Sequence, residues 1–308
     1  MIAAPGAGAR QVHAVLAAGV ENPALIARWR AQPELLRGHG VEPGEVDLDA
    51  LWKFAGLTTK VRHNGLRDDY PLTFRVMSAI GIEIDLFAAY AGERAAAGAR
   101  LAPTTEQRVI DLMAFLERWL DRAQPSHALL WDAIRHERAL AELAKPQLGA
   151  PEPPRPRAPT SMEASPAGRG AARRSTEAGE RSFRSAEQGA RATARTVPRV
   201  HGQLVLHEMT CDPRTIVGAL TTAAPRLDQI ARAPTYLCYW RADATPAIAI
   251  VQLDELGYYA LSLIDGRHSA AALHRALGLT GKTSAAVLRG LEQLAGLGII
   301  TLRAPRAS

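Results

Sequence analysis

The stretch "LSLIDGRHSAAALHRALGLTGKTSAAVLRGLEQLAGLGIITL", residues 261–302, decides how the second half of this chain is read. Apolar residues recur in it at helical spacing and then close into a short apolar run. The periodicity predicts helices over about 254–264, 268–277 and 282–296. Asp265-Gly266 stops the first of these and turns the chain, and Gly298 ends the last. Ile299 to Leu302 then return to the domain's sheet as a strand.

Upstream of this block the pattern changes to strands. "GQLVLHEM" and "TYLCYWRA" are rich in β-formers, and "PAIAIVQLD" is a third, apolar strand. "YLCYWRADATPAIAIV" reads as a hairpin with its turn at Asp243 to Pro246. Three strands followed by three helices, βββααα, is the order of a winged helix. The expected C-terminal domain is therefore residues 201–308, of winged-helix type.

The N-terminal 144 residues show no strand pattern and no repeat. Leu25, Ile26 and Trp29 recur at helical spacing, as do Leu48, Leu51, Trp52 and Ala55, with Asp47 placed as an N-cap. Pro71 suits the first turn of a later helix, and Gly81 and Gly92 are expected breaks. "TTEQRVIDLMAFLERWLDRA" puts Val109, Leu112, Met113, Leu116 and Leu120 on one face, capped by Thr104 or Thr105. "HALLWDAIRHERALAELA" supplies a last helix. An all-α bundle of about six helices is expected over 1–144, which makes the whole chain α+β.

Between the two lies 145–200, rich in Pro, Ala, Gly, Ser and Arg, with Phe183 its one aromatic residue. Such a composition buries too little apolar area to offset its ordering entropy, so a disordered linker is expected there. The linker also holds the charge. It has eleven basic and five acidic residues, a net +6, whereas 1–144 is at −2 and 201–308 at +2. The overall +6 therefore says nothing of a basic face on either folded part, and nucleic acid is not the expected partner.

Catalytic constellations are absent from the sequence. The nine histidines form no HxH or HxxxH pair and join no Cys/His set with metal-ligand spacing. There is no Walker loop, no GxSxG and no CxxC. Cys211 and Cys238 are expected as free thiols in a reducing cytosol. The start lacks a basic segment ahead of an apolar stretch, so no secretory signal is expected, and no apolar run approaches the length of a bilayer span. The residues point to a cytoplasmic protein without catalytic residues, metal ligands or a cofactor of its own, and not to a membrane protein.

Two surfaces remain as candidates. The cluster "TTKVRHNGLRDDYPLTF" offers Lys60, Arg62, His63 and Arg67 beside Tyr70 and Phe74, a mixture suited to partner docking as well as to a solvated helix face. In the C-terminal domain a DNA-reading helix would need Arg, Lys, Asn or Gln on its outer face. "KTSAAVLRGLEQLAGLG" offers Lys282, Arg289 and Gln293, offset by Glu292. A peptide could instead add to a sheet edge over an apolar helix. Peptide binding, DNA binding as a transcription regulator, and neither of these all remain open on the residues alone.

"LDELGYYALSLIDGRHSAAALHRALGL" with "AAVLRGLEQLAGLGIITL" resembles the PqqD-like precursor-recognition domains (RREs) of ribosomal-peptide (RiPP) biosynthesis. "DALWKFAGLTTKVRHNGLRDDYPLTFRVMSAIGIEIDLFAAYA" is similar to the helical domains of partner proteins of multinuclear non-haem iron-dependent oxidases, the methanobactin partner among them. The resemblance implies a heterodimer in which a separate oxidase carries the iron and this chain grips the leader of a precursor peptide. It implies that the leader adds as a strand to Ala247, Ile248, Ala249, Ile250, Val251, Gln252 and Leu253, with Val287, Leu288 and Leu291 across the groove. It further implies that the helical domain docks the oxidase, through Lys60, Arg62, His63, Arg67, Tyr70 and Phe74.

Overall fold

The structure, a computed structural model, describes residues 7–99, 102–145, 191–222, 225–243, 245–280, 282 and 284–304. They fall into two units, one of residues 1–138 with 209–234, the other of 139–208 with 235–308. This differs from the expected division at 144 and 201, because 209–234 belongs with the helices. The expected linker lies mostly outside the described residues.

The N-terminal region is all-helical: α1 (Ala7–Glu21), α2 (Pro23–Ala31), α3 (Leu48–Arg62), α4 (Leu66–Asp69), α5 (Pro71–Ala79), α6 (Glu83–Ala96), α7 (Thr105–Trp119) and α8 (Pro125–Ala144). α1 was not expected, because its Ala- and Gly-rich sequence carries few large apolar residues to show a period. The predicted caps form. The Asp47 carboxylate accepts from Ala50 N at 2.9 Å, and the Thr104 hydroxyl accepts from Gln107 N at 3.2 Å. Gly81 does end α5, at φ 73°. Gly92 breaks nothing and sits inside α6 against the Trp52 ring.

α3 and α6 pack at Gly56, where a Cβ would stand 2.2 Å from the Ile84 carbonyl oxygen. Only a residue without a side chain allows that approach. α5 starts with Pro71 and has no side-chain cap of its own. Its free Leu72 and Thr73 N–H groups donate instead to the two oxygens of Glu137 on α8, at 2.6 and 2.9 Å. Burial pushes the Glu137 carboxyl above its ordinary range, against the pull of those bonds.

The excursion 209–234 carries α9 (Pro213–Leu220), which sequence reading missed. Eight residues are too few to show a convincing period. Ile216, Leu220 and Leu227 enter the same core as Phe74, Leu116 and Leu130. Buried Asp132 on α8 accepts from Thr210 N at 2.7 Å, Thr210 Oγ1 at 2.6 Å and Cys211 N at 3.2 Å, all on its Oδ2. The Arg75 guanidinium donates to the carbonyl at the C-terminal end of α9, Leu220 O, at 2.9 Å.

The C-terminal region is mixed α/β with two small antiparallel sheets. One is β2 (Gln203–Met209), β3 (Thr235–Arg241) and β4 (Ile248–Leu253), in that order, with Tyr239 opposite Ile250 across the predicted hairpin. The other pairs β1 (Val197–Val200) with β5 (Ile300–Arg303). Ile300 to Leu302 therefore do not return to the sheet of β2, β3 and β4 as expected but pair with β1, which comes from the end of the expected linker. Residues just before β1 also pack here. The Thr196 and Ala194 carbonyls accept from Ala270 N and Ala271 N, at 2.8 and 2.9 Å, the opening N–H groups of a helix.

The helices follow in the predicted order as α10 (Glu255–Ser262), α11 (Ala270–Ala276) and α12 (Ala285–Gly296). Asp265-Gly266 turns the chain as expected. Asp265 accepts from the backbone of His268 and Arg267, which holds its carboxyl down at about 2, and Gly266 takes φ 75°. Leu261, Val287, Leu291, Leu294, Cys238 and Trp240 form the core of this unit.

Candidate functional site

β4 is an edge strand. One side pairs with β3, and no strand pairs with the other among the described residues. Its alternation is clear: Ala249, Val251 and Leu253 pack toward the core, while Ile250 and Gln252 are exposed. An edge of this kind leaves backbone N–H and C=O groups available to another strand.

α12 flanks that strand. Ser284 caps it, accepting from Val287 N at 3.2 Å, and its apolar stripe Val287, Leu291 and Leu294 is buried. Between strand and helix runs a cleft of about 410 Å³. Val251, Gln252 and Leu253 line one wall, and Gly290, Gln293, Leu294, Gly296 and Leu297 line the other. Asp254 and Gly257 close one end. A Cβ added at Gly290 or Gly296 would meet nothing within 4 Å, so the helix wall is open where those side chains are missing. The cleft can seat apolar side chains of an extended chain that hydrogen-bonds to the β4 edge.

Of the residues expected here, Ile248 to Leu253 form the strand and Ala247 is exposed just before it. Val287 and Leu291 lie in the core and Leu288 packs partly buried against it, and none of these three lines the cleft. Sequence reading chose the large apolar residues of α12. Leu294, which the sequence also offered as groove wall, does line the cleft, with Leu297, Gln293 and two glycines that carry no apolar signal. A second cleft, of about 520 Å³, lies against α10 and α11, lined by Leu256, Tyr259, Leu263 and Leu277 with Glu255 at its rim. It offers side chains without a strand edge.

Of the six residues expected to dock a partner in the cluster around residues 60–74, five are buried or half-buried. His63, Tyr70 and Phe74 are 1%, 6% and 2% exposed. Lys60 and Arg67 both reach the buried carboxylate of Glu83, Lys60 at 2.9 Å, and Ser78 Oγ donates to it at 2.8 Å. The Arg67 guanidinium also stacks 5.0 Å from the Phe74 ring. Two cations are thus drawn inward to neutralise one buried acid. Arg62 alone of the six remains exposed.

His63 shows the consequence of burial. Its Nδ1 lies 2.8 Å from Thr59 O and so carries the proton, while its Nε2 is buried without a partner among the described residues. The ring lies 5.4 and 5.5 Å from those of Tyr90 and Phe87. Burial holds its pKa below the ordinary histidine value.

The two cysteines are buried and free, and burial pushes both thiols up to about 12, far from a reactive thiolate. Among the described residues no group of three or more His, Cys, Asp or Glu is placed to hold a metal ion. No described helix is long and apolar enough to cross a membrane. No protein-family model matches the chain, and no curated protein matches it.

Proposed function

We propose that this chain is a non-catalytic partner subunit that binds the leader of a ribosomally made precursor peptide along β4 and presents it to a separate multinuclear non-haem iron-dependent oxidase. The observation that carries the reading is the open β4 edge beside a cleft walled by α12. The order β2, β3, β4, α10, α11, α12, with the excursion carrying α9 between β2 and β3, supports this reading through its likeness to the strands-then-helices order expected of a winged helix. The leader adds its backbone to the edge, and its alternate side chains enter the cleft. The helical unit holds the oxidase, which carries the iron. Gain comes from positioning and effective concentration rather than from chemistry on this chain. The outer face of α12 is a poor reader of DNA: Arg289 and Gln293 share it with Gly290, Gly296 and Leu297.

The test co-expresses the chain with a neighbouring iron oxidase and titrates a labelled precursor leader against the complex. A one-to-one complex that binds the leader is expected. Val251→Asp and Gly290→Trp should each abolish leader binding. Gly290→Trp fills open space, so its fold is expected to survive even where Val251→Asp unfolds the sheet. A chain that ignores oxidase and leader alike and shifts promoter DNA with a steep salt dependence overturns the reading in favour of a winged-helix regulator.

A further inference from the structure

The outer face of α3 carries an apolar seam that nothing among the described residues covers. Phe54, Leu57 and Val61 are 50%, 44% and 66% exposed. With exposed Ala50 before them they are spaced four, three and four residues apart, the repeat of a coiled-coil seam. The opposite face of the same helix, Leu51, Ala55 and Gly56, is buried. α3 is thus held rigid on one side while a row of large apolar groups stands in water on the other. Isolated exposed apolar residues need no explanation, but three in register on one helix do.

The charges beside the seam say what fits it. Lys53 on one flank and Arg62 toward the other are exposed and make no ion pair among the described residues. The acidic groups sit at the other end and are engaged: Asp47 caps the helix, and Asp49 pairs with Arg30 at 2.8 Å. A second copy of α3 packed parallel would bring like charges together across the seam, and an antiparallel copy would offer Arg62 only an Asp49 already paired with Arg30 and Lys53 no acid at all; flanking charges of this kind set partner choice in paired helices. We infer that α3 is a docking face for an amphipathic helix of another protein, whose apolar ridge is flanked by aspartate or glutamate. This stands on α3 alone and does not depend on the cleft beside β4.

The experiment uses the full chain and two fluorescein-labelled synthetic helices of about three heptads, each with Leu at every seam position. One has Glu at both flanking positions and the other has Lys. Anisotropy should show the Glu peptide binding at least tenfold tighter than the Lys peptide, about 1.4 kcal/mol, with the preference shrinking as salt is raised. Leu57→Asp and Val61→Asp should each weaken it by about tenfold or more with an unchanged circular dichroism spectrum, since both side chains are already exposed. The double variant Lys53→Glu, Arg62→Glu should reverse the preference. Equal affinity for the two peptides, or binding that Leu57→Asp leaves intact, overturns the inference. So does a dimer in sedimentation equilibrium that Leu57→Asp dissociates, which assigns the face to a second copy. Co-sedimentation with phosphatidylcholine–phosphatidylserine vesicles that Leu57→Asp abolishes overturns it too, in favour of a lipid surface.

Discussion

Asp132 and Glu137 both lie on α8, are both buried, and both hold backbone N–H groups from distant parts of the chain. Their amide isosteres should nevertheless behave oppositely. All three donors at Asp132 end on a single oxygen, Oδ2. Asn presents a carbonyl oxygen there and keeps every bond. It also removes the cost of burying a charge, which is what pushes the Asp132 carboxyl above its ordinary value. Asp132→Asn is therefore expected to fall within about 1 kcal/mol of the parent, on the stabilising side at neutral pH. Asp132→Ala strands Thr210 N, Thr210 Oγ1 and Cys211 N and should cost about 3 kcal/mol.

Glu137 uses both oxygens, one for Leu72 N and one for Thr73 N. Gln can keep only one of these bonds and points its NH₂ at the other donor, so Glu137→Gln should cost about 2 kcal/mol. The assay is urea denaturation followed by circular dichroism and by tryptophan fluorescence, with equal slopes required before midpoints are compared. The pH dependence gives a second check. A carboxyl whose folded pKa is raised binds more protons folded than unfolded, so its contribution to stability falls as pH rises through the interval above 3.8. The advantage of Asp132→Asn should thus shrink as pH is lowered toward that value. Asp132→Asn costing as much as Asp132→Ala, or Glu137→Gln costing nothing, would refute the reasoning.

Gly56→Ala places a methyl group against the Ile84 carbonyl at the α3–α6 contact, and even after the gain in helix propensity it should cost about 2 kcal/mol by the same denaturation measurement. His63→Phe removes a buried unpaired nitrogen and a lowered pKa. The unfolded chain protonates this histidine below about 6.5 while the fold resists, so the parent should lose stability as pH falls below that value, by at most about 1.4 kcal/mol per pH unit. That slope should flatten in the variant, as read by thermal midpoints between pH 7 and 5.

Local signals in the sequence determined the elements whose causes are local. Asp47 and Thr104 are read as caps because a side chain three residues from an N–H needs no tertiary help. Asp265-Gly266 is read as a turn because its carboxylate bonds its own following backbone. The hairpin and the order of the last three helices follow from periodicity in the same way. What only the tertiary structure decided is where polar groups end up. Lys60, His63 and Arg67 look like a surface because they are charged or polar; Lys60 and Arg67 turn inward because Glu83 is buried between them, and His63 because Phe87 and Tyr90 receive its ring. α9 and β1 are too short to show a period and exist through partners elsewhere. Asp132 reaches Thr210 across 78 residues, and β1 pairs with β5 some hundred residues on. The cleft wall of α12 owes its opening to the missing side chains of Gly290 and Gly296 beside Leu294 and Leu297, and the seam on α3 is made of side chains left uncovered among the described residues. Each depends on the neighbours a residue meets after folding, and helical or strand spacing carries no record of them.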